Sequence, residues 1–182
     1  MQELNKLKAE LDNIDAESAN KTAQVMEKAR VIFEKLMKGK EKEVNELVEK
    51  VNNTKELTTV NHDEHFHQWI RVDFTKFIDL DDKFQRQLLT EYFQDNHCME
   101  VDLKNDCLTM SIGPAIIIND DGDVLDQDSG SWFIKKSEYE SEVERNGLIE
   151  KYMEKNGYFP SVLRVDNYGN AFYVNTKEKK GN

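Results

Sequence analysis

From Met1 to Leu57 the chain has no proline and a single glycine, Gly39, so one long stretch has almost no choice but helix. Glu, Lys, Leu and Ala dominate it. Leu4, Leu7, Leu11 and Ile14 keep the three-four spacing of a coiled-coil seam. That frame then meets Ser18 and Lys21 and lapses. A second apolar stripe runs Val25, Ala29, Ile32 and Leu36, widened by Met26 and Phe33. A third comes after Gly39 as Val44, Leu47 and Val51. An unbroken helix of this length would span about 85 Å at 1.5 Å per residue, too long for one strip of side chains to stay dry alone. Residues 1–58 are therefore expected to form a helical stalk. It either self-associates as a coiled coil, giving a homo-oligomer, or folds back near Gly39 as a hairpin. The bland alternative is that these helices merely complete the core of the C-terminal domain.

Residues 62–176 read as an α+β domain with a mainly antiparallel sheet and two helices, and 177–182 as a disordered tail. Phe66, Ile70, Val72 and Phe74 fall mainly on one face of a period-two segment. Asp79 or Asp81 then caps a helix carrying Leu80, Phe84, Leu88 and Tyr92. A hairpin turning at Asn105-Asp106 sets Leu103 against Leu108, Val101 against Met110 and Met99 against Ile112. Ala115–Ile118, an acidic turn and Val124-Leu125 suggest another hairpin. Trp132–Ile134 form a strand, and Ser137 with Glu140 suggest the start of a helix that stops at Asn156-Gly157. Leu163 and Val165 are then expected against Phe172 and Val174. Two tandem strand-helix-hairpin units would account for this order.

Charge respects the same divide along the sequence. Residues 1–60 hold 11 Lys/Arg against 12 Asp/Glu, and residues 61–182 hold 14 against 24. An acidic domain repels phosphate backbones, which argues against direct nucleic-acid binding and for a basic surface on a protein partner. Asp120, Asp121, Asp123, Asp126 and Asp128, continued by Glu138, Glu142 and Glu144, are the candidate partner-binding residues. As a calcium loop the aspartate run fails, since Ile117 would be the first ligand. An ordinary Asp-Gly hairpin turn is the plainer account.

His62, His65 and His67 could hold a transition metal, but no further His or Cys stands in an evident ligand position. A solvated strand face explains them as well. Cys98 and Cys107 fall at opposite ends of the expected hairpin and are read as free thiols. No phosphate-cradling glycine loop, nucleophile elbow or dinucleotide fingerprint occurs, so no catalytic residue or cofactor is expected. No apolar run reaches the roughly 20 residues of a spanning helix, and the acidic start lacks a signal peptide, which suggests a cytoplasmic setting. In general composition the chain resembles phage or mobile-element accessory proteins. The expectation is a non-enzymatic inhibitor or regulator that occupies a basic site on its target. The alternatives are a coiled-coil virion assembly component and a metal-dependent enzyme built on the three histidines.

Overall fold

A computed structural model describes residues 1–14, 18–59 and 65–174. The expected tail at 177–182 and His62 lie outside them. The fold is α+β, with two sheets and five α-helices among the described residues. It divides into two compact units: Met1–Thr54 with Trp69–Met110, and Lys55–Gln68 with Ser111–Asn182.

That division departs from the boundary composition suggests. The N-terminal third is not one rod but three helices, α1 (Gln2–Asp12), α2 (Ala19–Lys38) and α3 (Glu41–Asn53). They share a core with α4 (Lys83–His97) and the strands β3 (Glu100–Asp102) and β4 (Cys107–Ser111). α1 packs along α2, and α2 packs against α4. Leu4, Ala29, Phe33, Met37, Val44 and Val51 are buried with Leu88, Leu89, Phe93 and Leu108. The stripes that called for a partner find it within the chain, where each buried apolar side chain gains roughly 1.5–3 kcal/mol. On α2 the buried line is Val25, Ala29, Phe33 and Met37, with Ile32 and Leu36 only partly covered. Ion pairs between helices reinforce the packing: Arg30 Nε to Glu91 at 2.8 Å, and Lys8 Nζ to Asp82 at 3.1 Å. Gly39 marks the break between α2 and α3 in a right-handed conformation, while the closely packed pair is α1 and α2.

Local start signals shift by a few residues. Asp82, not Asp79 or Asp81, caps α4, accepting from the amides of Phe84 and Gln85. The β3–β4 hairpin pairs Val101 with Leu108, not with Met110. Asp102 causes the change by accepting from the amides of Lys104 and Asn105, which makes the turn four residues long. Because the shift is two residues, each side chain keeps its face. Cys107 is buried on β4 and Cys98 is exposed at the left-handed end of α4; both thiols are free.

The four-stranded sheet has the order β1-β2-β4-β3, with β1 at Leu57–Thr59 and β2 at Phe66–Arg71. The five-stranded sheet of the second unit is ordered β7-β6-β5-β8-β9. Its strands are β5 (Ala115–Ile118), β6 (Val124–Asp126), β7 (Ser131–Ile134), β8 (Ser161–Val165) and β9 (Ala171–Tyr173). All neighbours are antiparallel except β5 and β8, which run parallel. The crossover between them carries α5 (Glu142–Asn156). Ile116, Ile118 and Val162 pack with Ile149 of α5, while Ala115, Leu163, Val165 and Tyr173 pack on the opposite side with Phe66 and Ile112. The order strand, helix, hairpin does recur, but the pairing does not. β4 lies beside β2, whereas β8 lies beside β5 and not beside β7.

Candidate interaction site

The parallel pair sets up the site. β5 and β8 point their carboxyl ends the same way, and the loops beyond those ends carry Asp120, Asp121 and Asp166. Strand ends of this kind, beside the start of a crossover helix, are where α/β sheets leave an open crevice. Here a cleft of about 920 Å³ opens between the α5 start and strands β5, β8 and β9. Ile118, Val143 and Phe172 form its apolar part, and Asp120, Glu142 and Asp166 its acidic part. Arg145 and Arg164 also line it.

Phe172 reaches this cleft through a register that differs from expectation. β8 pairs with β9 as Leu163 to Tyr173, Arg164 to Phe172 and Val165 to Ala171. Phe172 and Val174 therefore lie on the opposite face from Leu163 and Val165. The loop explains it. Asp166 accepts from the amides of Tyr168 and Asn170 and from the Asn170 side chain, and Gly169 takes φ +83°. Those bonds, with the Asn170 side chain foremost, hold the Asp166 carboxyl below its ordinary value. Phe172 remains 55% exposed and Tyr168 in the loop 92% exposed.

The start of α5 is set four residues later than the Ser137 signal implied. Residues Lys136–Glu138 form a 3-10 turn, and Ser141 caps the helix by accepting from the Glu144 amide at 3.2 Å. Glu144 in turn accepts from the Glu140 amide at 2.8 Å. Gly157 closes the helix in the left-handed conformation, as read from the sequence.

The eight carboxylates singled out in the sequence do not form one face. Asp126 is only 3% exposed, so it cannot meet a partner. Its Oδ2 accepts from the phenols of Tyr152 at 2.6 Å and Tyr158 at 2.7 Å, and its Oδ1 from the Asp128 amide. Burial alone would push this carboxyl up; the bonds from Tyr152, Tyr158 and Ser129 outweigh it and hold it below its ordinary value. Asp123 accepts from the Lys136 amide and pairs with Lys135 at 3.4 Å. The amide bond, helped by the Lys135 cation, lowers its carboxyl too. Asp120 accepts from the Asn167 amide at 2.8 Å and lies 3.8 Å from Arg164. Glu138 accepts from the Lys135 amide. These groups build turns and caps.

Asp121, Asp128 and Glu142 keep exposed carboxylates that no hydrogen bond or ion pair engages among the described residues. Asp128 lies past the far end of β6, where Gln127 bonds to Ala115, and is thus separated from the other two. The cleft's cations are partly committed as well. Arg145 bonds to the Asn146 side chain and lies over Tyr139, and Arg164 faces Asp120.

The aspartate turn itself is an ordinary hairpin. Asn119 accepts from the Asp123 amide at 2.8 Å, Gly122 has φ +86°, and Tyr139 donates to the Gly122 carbonyl. Of the histidines, His65 is exposed and His67 is buried on β2. No cluster of three metal-ligating side chains occurs among the described residues. Among the aromatics, Tyr158 is committed to Asp126, whereas Tyr168 stands free.

The segregation of charge along the chain also disappears in the packed units. The first holds 15 Lys/Arg against 20 Asp/Glu and the second 10 against 16, net −5 and −6. Helices α1–α3, nearly neutral, share their unit with the acidic segment 69–110. No described helix is long and apolar enough to cross a membrane. No protein family, curated protein or solved structure matches this chain.

Proposed function

We propose that the second unit is a docking module, acting by binding and not by turnover, for a basic segment of a protein partner. One observation carries this reading. The exposed aromatic Phe172 and the uncommitted carboxylate Glu142 line one open cleft, and the exposed Tyr168 and Asp121 lie in the loops beyond the carboxyl ends of β8 and β5. Exposed aromatics make good anchors because they bury much area at small entropic cost. Carboxylates at the rim choose a cationic partner and speed its approach. Phe172 and Val143 would cover the apolar stems of partner Lys or Arg side chains, and Glu142 and Asp121 would meet their charged ends. Binding in this way would block a basic site on the target, the action of an inhibitor or regulator.

The test is a fluorescence-anisotropy titration with a labelled peptide of alternating Arg and Leu. Binding is expected to weaken about tenfold or more in the Asp121→Lys/Glu142→Lys double variant, and similarly in Phe172→Ala. A control with the same change in charge, Glu150→Lys/Glu154→Lys on exposed α5 surface, should change little. Equal affinity of all variants for the peptide would remove the proposal.

A further inference from the structure

A second cleft, confined to the first unit, has the opposite character. It has a volume of about 510 Å³ and lies between one face of α3 and the segment that leaves β2. That size is in the usual range for small-molecule sites, about 300–1,000 Å³. Lys40, Leu47 and Lys50 come from the helix side at seven- and three-residue spacings that place them on one face. Arg71, Val72 and Lys76 come from the other side. Four cations thus converge on one hollow in a chain of net charge −11.

Their commitments differ. Lys40 is anchored, with its Nζ donating to the Lys76 carbonyl and lying 5.4 Å from the centre of the Phe77 ring. Lys50, Arg71 and Lys76 form no ion pair with any described residue. Carboxylates also line the cleft, but two of the three are engaged. Asp73 accepts from the amide and hydroxyl of Thr75, and Glu46 lies 3.9 Å from Lys42, outside the lining. Asp73 keeps its charge and is drawn toward Lys76, and Glu43 forms no ion pair with any described residue, so the lining carries four cations against three carboxylates. The surplus is one positive charge, and Arg71 and Lys50, which form no ion pair with any described residue, stand beside an apolar floor of Leu47 and Val72 with donors that a phosphate could engage.

We infer that this cleft binds a small phosphate-bearing molecule, with Arg71, Lys76 and Lys50 around the phosphate and Leu47 and Val72 under the body of the ligand. Arg71 supplies the planar fork that suits two phosphate oxygens, while the lysines act as point charges. These residues, and the unit that holds them, are not those of the docking cleft, so either site can fail without the other.

Isothermal titration of the full chain at low salt, with AMP, pyrophosphate and adenosine as probes, tests it. AMP and pyrophosphate should bind, and adenosine should not. Binding should fall about tenfold in Arg71→Ala and further in Arg71→Ala/Lys76→Ala, with affinity declining as salt rises. Lys50→Glu, on the other wall, provides an independent variant, and circular dichroism confirms that each remains folded. All three side chains are exposed, so folding should survive. Adenosine binding as well as AMP, no heat from either phosphate probe, or unchanged affinity in the folded double variant would each overturn the assignment.

Discussion

The phenol of Tyr152 donates to the buried carboxylate of Asp126 across 2.6 Å, and so ties the second half of α5 to the end of β6. Tyr158, beyond the helix, donates to the same oxygen. A carboxylate is tolerated inside because its lone pairs are filled. Asp126→Ala should therefore destabilise the protein by about 2–4 kcal/mol, since two part-buried phenols lose their acceptor. Tyr158→Phe should cost only about 1 kcal/mol, because one donor is removed and the carboxylate keeps the others. Urea unfolding monitored by Tyr and Trp fluorescence measures both, and equal costs would contradict this ranking.

Acid should weaken the fold through a small set of carboxylates. At Asp82 and Glu91 burial pushes the pKa up, yet the bonds from Lys8 and the α4 amides, and from Arg30 and Gln87, hold it below the ordinary value. Asp126 behaves alike, and Asp102 is lowered chiefly by Asn105. Each binds a proton less readily folded than unfolded. Their stabilisation is thus complete above the unfolded value, about 4, and is lost as pH falls through the lower folded values. The urea midpoint should hold steady from pH 7 to 5.5 and drop steeply below about 4. Asp82→Asn should make that drop shallower.

The N-terminal helices should behave as core and not as an appendage. Phe33 is 3% exposed and meets Tyr92 of α4 edge-on at 6.2 Å. Phe33→Ala should cost about 3–5 kcal/mol. Arg30→Ala, which breaks a half-exposed ion pair, should cost less than about 1 kcal/mol. A peptide of residues 1–54 should be largely unfolded and monomeric by circular dichroism and sedimentation. A helical oligomer would restore the coiled-coil expectation.

Gly122 combines a positive φ with a close neighbour. A Cβ there would fall 2.6 Å from the Tyr139 hydroxyl and 2.8 Å from Lys136 Cδ. Gly122→Ala should destabilise by about 1–3 kcal/mol, measurable as a lower melting temperature. Gly130→Ala, with φ +64° but open space, should cost less.

Signals that act over a few residues were legible. The absence of proline and the apolar stripes correctly marked α1–α3 as helix, and Asn156-Gly157 marked the end of α5. Ala115–Ile118 and Val124-Leu125 do form a hairpin. Where several residues offer the same local bond, the sequence is ambiguous. Asp79, Asp81 and Asp82 can each cap a helix, and Ser137 and Ser141 each begin a plausible box. Tertiary packing chose Asp82 and Ser141. The expected β8–β9 face differs from the one formed because a loop centred on Tyr168 pairs Val165 with Ala171 and Arg164 with Phe172, which sends Phe172 to the face opposite Leu163.

Periodicity and turn chemistry alone determined which stretches are helix and strand, because those rules depend on neighbours within a turn or a pleat. Which carboxylates are free was decided only by the folded chain. Asp126 finds Tyr158 from 32 residues away, and Asp120 meets the Asn167 amide from 47. The division into units was decided the same way. Apolar stripes specify that a face must be covered but not by what, and here residues 69–110 cover α1–α3.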